Sequence, residues 1–418
     1  MKKIFGLVVM LGCLAMPSYA SDNRSAPNVF SSGSTISSSQ MNENFNFLAS
    51  NYREKTVNCD NGETIASAID AGYNFLTIFG TCDGSFVVYM MDPIHFGDSF
   101  SDYPNKSINH LIIKGGSENR AAKILNNNED FNSMVTTKGF LQLYNLTYNG
   151  TLEVNDGSVV FIDEVNIGVT IDEDGEEDEG EVEVYGNSYL SMKNSTITGD
   201  VEVRRSSFAK IRDTNIIMFD AEDDVLMLKE KGHVDIEDST VNGSIYITGG
   251  SHLEGENTNI TCENTDHSCV KASDSIFVFE DININCSNIS VCLNANGSKI
   301  SLDEVSLTTT LVQYNAIALS DGSKAIIEDS TVSTDGTTSG INLRVNSILE
   351  IEDSSITTND GTGMYLNNGS YFRGDNVNIT RTNNTPTVDL GTFSILKLRG
   401  SSSSINDINC YDTNVDVD

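Results

Sequence analysis

The sequence predicts an all-β protein, a single-stranded right-handed parallel β-helix of about 12–14 coils with three strands in each coil and short N-terminal helices. A ten-residue block recurs between residues 139 and 380. Its third, fifth and tenth positions are apolar or glycine in every block, and its seventh is always Asn, Asp or Glu. Blocks start roughly 23 residues apart, which suits one coil. They begin at Gly139, Ser158, Ser188, Ser207, Gly232, Ser251, Ser275, Ser298, Ser323, Ser347 and Ser370.

Each block predicts two strands and one corner. Leu190 and Met192 have the spacing of a strand with one buried face. Asn194 then interrupts the pattern, because such residues favour turns and tolerate left-handed backbone, and Ile197 marks a further short strand. An apolar pair upstream of most blocks predicts another strand, so a coil has three. Equivalent residues of stacked coils should form columns about 4.8 Å apart.

With this repeat, the chain resembles the right-handed parallel β-helix proteins of the pectin-lyase-like superfamily over about residues 56–410. The stretch 62–70 is amphipathic and precedes the apolar stretch 76–82. The resemblance implies that a helix at 62–70 covers the open end of the first coil, which would otherwise expose its core and strand edges. Because one fold hosts many activities, the resemblance implies an architecture and no particular substrate.

The N-terminal residues predict export. Two lysines precede an apolar run and a small-x-small site ending at Ala20, so residues 1–20 are a predicted signal peptide cleaved after Ala20. A lipoprotein signal at Cys13 is the alternative. Residues 21–55 form an extension whose predicted helix, 37–55, has an apolar stripe for docking or self-association. We expect a secreted, periplasmic or cell-surface protein without a membrane span.

The charge balance restricts the partners. The formal net charge is −35, and the last residues, 411–418, form a predicted acidic tail. Such a chain disfavours nucleic acid and anionic membranes as partners. It suits cations or neutral glycans outside the cell.

The cysteines predict disulfides, since these persist in exported proteins. Of the eight cysteines, Cys13 lies in the signal peptide. Pairing between adjacent coils, Cys262 with Cys286 and Cys269 with Cys292, is compatible with the rung spacing. We favour pairing within each coil, which leaves Cys410 without an assigned partner. The favoured set is Cys59–Cys82, Cys262–Cys269 and Cys286–Cys292.

Length differences between coils concentrate at one corner, between the last strand of a coil and the first strand of the next. Two acidic loops lie there, at 172–181 and 220–224. Oxygen-rich loops suit calcium, which takes six to eight oxygen ligands, although solvated charge runs have the same composition. The candidate calcium ligands are Asp172, Asp174, Asp178, Asp220, Asp223 and Asp224.

The outward residues of the strands beside this corner are the candidate ligand-binding residues. Two tyrosines are available for stacking on sugars, and two cations lie among carboxylates: Tyr185, Tyr246, Arg204 and Lys229. In enzymes of the pectin-lyase-like superfamily, which this chain resembles, the substrate cleft lies on this face. The resemblance therefore implies that a ligand would bind here.

The preferred interpretation is non-catalytic binding of an extracellular glycan or surface partner. One alternative is a calcium-dependent polysaccharide lyase using Arg204 or Lys229 as its base. A second is a structural surface or adhesin module that assembles through residues 37–55. No organic cofactor is expected, and no complete catalytic motif is present. Residues 264–266, Asn-Thr-Asp, match a short carboxylate motif of polygalacturonases, but the further motifs that follow it in those enzymes are missing from this sequence.

Overall fold

The computed structural model describes most of the chain from residue 53 onwards. The chain divides into two units, residues 1–54 and 55–418. The predicted signal peptide and nearly all of the predicted helix 37–55 lie outside the described residues. The structure describes residues 53–83, 87–89, 110–116, 121–125, 133–137, 139–171, 177–178, 180–219, 224–264, 267–335, 339–359, 361–381, 388–399, 408–410 and 414–417.

The second unit is a right-handed parallel β-helix with three strands per coil, which confirms the predicted fold class. The strands form one 40-stranded sheet that winds around the core. A right-handed turn is the one that twisted parallel strands impose on their connections. A small antiparallel pair, Thr170–Ile171 with Glu177–Asp178, stands apart from this sheet.

We call the three strands of a coil first, second and third in chain order. The first strands are Val87–Tyr89, Ser133–Thr137, Thr151–Asn155, Gly180–Val184, Asp224–Leu228, Ser244–Thr248, Val270–Ser273, Val291–Asn296, Asn315–Ser320, Ser339–Leu343, Thr362–Leu366, Val388–Leu390 and Ile408–Cys410. The second strands are Glu54–Asn58, Phe75–Phe79, His110–Gly115, Tyr189–Lys193, Phe208–Arg212, His233–Glu237, His252–Glu256, Ile276–Glu280, Lys299–Asp303, Lys324–Glu328, Ile348–Glu352, Tyr371–Asp375, Ile395–Arg399 and Asn414–Val417.

The third strands are shorter on average. They are Thr81–Asp83, Lys123–Leu125, Asn215–Ile217, Thr240–Asn242, Asn259–Glu263, Asn283–Ser287, Ser306–Thr310, Thr331–Thr334, Ser355–Thr358 and Asn378–Arg381. Three strands continue through a corner without a break: Phe140–Asn149, Val159–Gly168 and Thr196–Val203.

A short helix, Ile65–Asp70, follows a 3-10 turn, Cys59–Asn61, before the first regular coils. Thr64 caps the helix, because its hydroxyl accepts a hydrogen bond from the amide of Ser67 at 3.1 Å. The apolar side chains of the helix are buried in the same core as Leu76. This helix is the one predicted within residues 62–70.

The interior consists of columns of equivalent residues, as the repeat predicts. Ile197 pairs in register with Ile216, which pairs with Val241, and all three are buried. The seventh position of every block has a φ between 45° and 56°, so the predicted left-handed corner occurs in each coil. These residues are Asn145, Glu164, Asn194, Asp213, Asp238, Asn257, Asp281, Glu304, Asp329, Asp353 and Asn376.

Buried hydroxyls reinforce the corner before each second strand. The Ser188 hydroxyl donates to the carbonyl of Tyr185 at 2.7 Å and accepts from the amide of Ser158, one coil away, at 3.2 Å. Ser207 in turn accepts from the amide of Ser188 at 3.1 Å. A backbone amide left unpaired inside the protein is costly. The serines therefore satisfy corner amides that the sheet leaves free.

Two predicted boundaries need correction. The strand Glu54–Asn58 begins inside the predicted helix 37–55. At the other end, Asn414–Val417 pairs with residues 395–398, so the sheet continues past residue 410 into the predicted acidic tail. The alternation of Val415 and Val417 with polar residues extends the two-residue period of a strand, which outweighs the acidic composition.

The three disulfides of the favoured set are present: Cys59–Cys82, Cys262–Cys269 and Cys286–Cys292. They fit folding in an oxidising compartment. Cys410 ends a first strand and pairs through its backbone with Leu390. Within the part of the chain that the structure describes, no helix is long and apolar enough to cross a membrane.

Candidate functional site

The candidate site lies on the outward side of the first strands, from Thr151–Asn155 to Val388–Leu390, which we call the first-strand face. The connection from each third strand to the next first strand borders it. This connection is the variable corner of the coil. Thr196–Val203 passes through it without a break, whereas the strands Asn215–Ile217 and Asp224–Leu228 are separated by an insertion. Loops on a rigid scaffold commonly carry binding residues.

Tyr185 is held by three neighbours. Its hydroxyl donates to a carboxylate oxygen of Glu153 at 2.8 Å and accepts from the amide nitrogen of Asn155 at 2.9 Å. The guanidinium of Arg204 lies over its ring, 4.7 Å from the centroid. Burial and the hydrogen bond to Glu153 raise the pKa of Tyr185, so the phenol stays protonated. The ring is a fixed, half-exposed platform.

The cations beside Tyr185 are both engaged by carboxylates. Arg204 lies 3.3 Å from Glu183 and 3.6 Å from Glu202, and Lys229 lies 3.3 Å from the same Glu202 oxygen. Glu202 is only 8% exposed. Burial raises the pKa of Glu183, and Arg204 offsets part of that rise. Arg204 and Lys229 therefore balance local negative charge.

Tyr246 completes the predicted set on the same face. Met227, two residues before Lys229, pairs in register with Tyr246, and Tyr246 pairs with Lys271. The Lys271 ammonium lies 5.2 Å from the centre of the Tyr246 ring. The structure thus brings all four candidate ligand-binding residues onto consecutive coils of one face. We call Glu153, Asn155, Glu183, Tyr185, Glu202, Arg204 and Lys229 the N-terminal cluster.

Most of the candidate calcium ligands cannot be placed. Asp172, Asp174, Asp220 and Asp223 lie outside the described residues. The backbone of Asp178 pairs with Thr170, and Asp224 begins a first strand. Among the described residues, no group of three His, Cys, Asp or Glu side chains is arranged to hold a metal ion. The calcium site remains a prediction.

A groove further along the first-strand face was missed by sequence reasoning, because it lies beyond Tyr246, the last candidate ligand-binding residue along the chain. Its volume is about 250 Å³, and its lining includes Tyr314, Asn342, Arg344 and Tyr365. The one sequence signal for this groove is at the outward positions of consecutive first strands, where amides and an alanine replace charged residues. These residues are Asn294, Ala318 and Asn342. We call this site the C-terminal groove.

The second strands also present an aromatic column on their outer side, with neighbouring ring centroids 4.3 to 6.0 Å apart. The rings of His233 and His252 are part of this column, with centroids 4.7 Å apart. Half-buried rings in such a stack stabilise the coils against one another. The column consists of His110, Phe140, Phe161, Tyr189, Phe208, His233 and His252.

A second groove, of about 550 Å³, lies at the corner between the second and third strands. Its lining is acidic and includes Glu237, Asp238, Glu256 and Glu304. Burial, followed by the neighbouring carboxylates, raises the pKa of Glu256. The hydrogen bond with Asp281 raises that of Glu304. This surface repels anions.

No family model matches this chain, and no curated protein matches it. Solved structures with some likeness include the A-module of the mannuronan C-5 epimerase AlgE6 from Azotobacter vinelandii, at 13% identity, with 85% of this chain and 92% of that chain covered and a TM-score of 0.34. The AlgE4 A-module from the same organism is 14% identical, with 85% and 89% covered and a TM-score of 0.23.

The receptor-binding tailspike of bacteriophage Det7 is 10% identical, with 87% of this chain and 77% of that chain covered and a TM-score of 0.27. Likenesses with such low TM-scores identify no ligand or activity. The assignment of this chain to the parallel β-helix class rests on its own strand pairing.

Proposed function

We propose that this chain is an exported β-helix protein that binds an extracellular glycan, or another surface partner, through its first-strand face and variable corner, without catalysing a reaction. The observation that supports this most is the N-terminal cluster. Its tyrosine ring and hydrogen-bonding groups are fixed by one another before any ligand arrives. Fixed groups lose little entropy on binding.

The engaged cations favour binding over elimination. A lyase needs a group that accepts a proton from its substrate. Arg204 and Lys229 each form an ion pair with a carboxylate, and such pairing favours the charged form of a cation over a form that could accept a proton. A neutral, hydroxyl-rich ligand suits the face better than a polyanion, because the chain has a net charge of −35.

A glycan array tests the proposal. The mature protein should bind at least one extracellular glycan, and Tyr185→Ala and Tyr246→Ala should each weaken that binding by about tenfold. The control is Tyr371→Ala, because Tyr371 is a half-exposed tyrosine on a second strand. Equal losses in all three variants would contradict a site on the first-strand face, and an array without any binding would contradict a glycan as the ligand.

The proposal includes calcium as a stabilising ion at the acidic loops of the variable corner, supported by the oxygen-rich composition of residues 172–181 and 220–224. Added calcium should raise the melting midpoint. The triple variant Asp220→Asn, Asp223→Asn and Asp224→Asn should reduce that rise. If calcium leaves the wild-type midpoint unchanged, it is not a ligand.

Two further measurements separate the alternatives. The appearance of unsaturated product, followed by ultraviolet absorbance during incubation with polyuronates, would show a lyase and overturn the non-catalytic proposal. Sizing the mature chain with and without residues 21–55 tests assembly through the predicted helix 37–55. A change in mass would favour the structural or adhesin module.

A further inference from the structure

The C-terminal groove lies where the first strands Asn315–Ser320, Ser339–Leu343 and Thr362–Leu366 adjoin one another. Each of these strands contributes at least one side chain to its lining. The side chains of Tyr314 and Tyr365 are among those that enclose its space of about 250 Å³.

The polar lining of the groove is buried and held in place. Asn315 is 7% exposed and Asn342 is 5% exposed. The Ser339 hydroxyl donates to the side-chain oxygen of Asn315 at 2.7 Å. The side-chain oxygen of Asn342 accepts from Nε of Arg344 at 3.2 Å. Burying amides costs free energy unless their hydrogen bonds are satisfied, so these contacts fix the geometry of the lining.

Arg344 differs from the cations of the N-terminal cluster. The bond to Asn342 is the only hydrogen bond or ion pair of the Arg344 side chain among the described residues, and no described carboxylate pairs with it. Arg204 and Lys229, in contrast, are both neutralised. The terminal nitrogens of Arg344 are therefore available as donors at the edge of the groove.

The two tyrosines supply aromatic surface. Tyr314 is 55% exposed at the variable corner. The hydroxyl of Tyr365 accepts from the side-chain nitrogen of Asn367 at 3.0 Å, which leaves its own proton for an acceptor in the groove. An aromatic ring beside convergent donors and acceptors is the usual composition of a small-molecule site.

Size and charge restrict the ligand. Pockets that enclose a drug-sized ligand measure roughly 300–1,000 Å³, so this groove fits a single ring of a longer molecule. None of the described residues that line the groove has a carboxylate. The net charge of −35 opposes the approach of a polyanion, although one guanidinium alone would attract a carboxylate. Hydroxyl groups match the amides and donors without that electrostatic cost.

We propose that the C-terminal groove is a subsite for one uncharged sugar ring of the glycan that the first-strand face binds. This inference rests on the proposed function and adds the class of sugar and a second set of contact residues. The ring would stack on Tyr314, accept hydrogen bonds from Arg344 and exchange hydrogen bonds with Asn342 and Tyr365.

The test measures binding of the mature protein to an array of neutral hexasaccharides of glucose, mannose and galactose and to hexamers of galacturonate. Tyr314→Ala and Arg344→Gln should each weaken binding of the best neutral probe by at least about tenfold. The matched control is Leu311→Ala, because Leu311 is 71% exposed at the same corner and does not line the groove. It should bind as the wild type does.

Unchanged melting midpoints will show that the exposed substitutions leave the fold intact. If Tyr185→Ala weakens binding while Tyr314→Ala and Arg344→Gln do not, the groove is not a subsite and the proposed function stands. Preference for the galacturonate hexamer overturns the sugar class. If the wild type binds none of these probes, the subsite for an uncharged sugar fails, and binding on the broader glycan array decides separately whether the proposed function stands.

Discussion

The two halves of the first-strand face share one backbone and differ in how their charges are used. In the N-terminal cluster, Arg204 and Lys229 are locked by Glu183 and Glu202. In the C-terminal groove, amides replace the carboxylates, and the Arg344 side chain hydrogen-bonds only Asn342 among the described residues. The same strand geometry thus presents a surface of paired charges in the N-terminal half and an open polar groove in the C-terminal half.

This difference shows that the outward residues determine what each coil presents, while the coil itself stays constant. The disulfides Cys262–Cys269 and Cys286–Cys292 lie in the two coils between the halves, at the variable corner. Repeat proteins couple mainly through adjacent repeats. Any coupling between the stabilities of the two halves must therefore pass through these two coils.

The largest effect is expected from removing one of these disulfides. The double variant Cys262→Ala, Cys269→Ala frees a loop that spans seven residues, so it should lower the free energy of unfolding by about 2–3 kcal/mol. Urea unfolding measures this loss, and hydrogen exchange locates it. Amides of both halves should lose protection. A loss confined to one half would show that the halves unfold independently.

The next effect concerns the ion pairs that Glu202 forms with Arg204 and Lys229 in the N-terminal cluster. Glu202→Gln removes a nearly buried carboxylate from two cations, each about one-third exposed. We expect a loss of about 1–2 kcal/mol in urea unfolding, below that of a fully buried pair because solvent screens the cations. The control is Glu350→Gln, whose pair with Lys324 at 3.2 Å is more exposed. It should cost at most about 0.5 kcal/mol.

A smaller effect on stability is expected from a change at Tyr185 in the N-terminal cluster. Tyr185→Phe removes the hydroxyl bonded to Glu153 and Asn155, so stability should fall by about 1 kcal/mol. Tyr246→Phe is the matched control, because no hydroxyl partner of Tyr246 is found among the described residues. If the two variants have the same melting midpoint, the hydroxyl network does not hold the N-terminal cluster.

The smallest effect depends on pH. Burial, followed by the neighbouring His252, lowers the pKa of His233 below 6.5, although Glu254 and Asp235 oppose this. As the pH falls through 6.5, the unfolded chain binds more protons than the folded one, so the stability contributed by neutral His233 is lost. His233→Phe keeps an aromatic ring next to Phe208 and should reduce the acid sensitivity.

Melting curves at about pH 7.5 and 5.5 measure this sensitivity, since His titrates in that range. All five histidines precede residue 275. Hydrogen exchange should therefore show that the histidine-dependent loss falls on the N-terminal half. An equal acid sensitivity of the wild type and His233→Phe would contradict the assignment to His233.

The repeat predicted the corners and columns well, because both depend on local chemistry. Asn194 and Asp238 favour a left-handed turn by themselves, and the structure has one at each. The C-terminal groove was beyond such reasoning. Tyr314 and Tyr365 lie on different coils, and nothing in their local sequence shows that their side chains line the same groove.

The block-start serines illustrate the same limit. As small polar residues at a corner they look solvent-exposed, yet Ser188 and Ser347 are buried. Their role appears only when coils stack and the Ser188 hydroxyl meets the amide of Ser158.

The sequence alone determined the parallel β-helix, its columns and its left-handed corners, since each follows from residue spacing and intrinsic backbone preference. For the cysteines, the spacing left two pairings open, and the structure has the pairs within each coil. The tertiary structure decided which cations are neutralised, which hydroxyls are buried and where the first-strand face opens. These features depend on distances between side chains of different coils. Such distances are fixed only when the chain winds and each coil pairs with its neighbours.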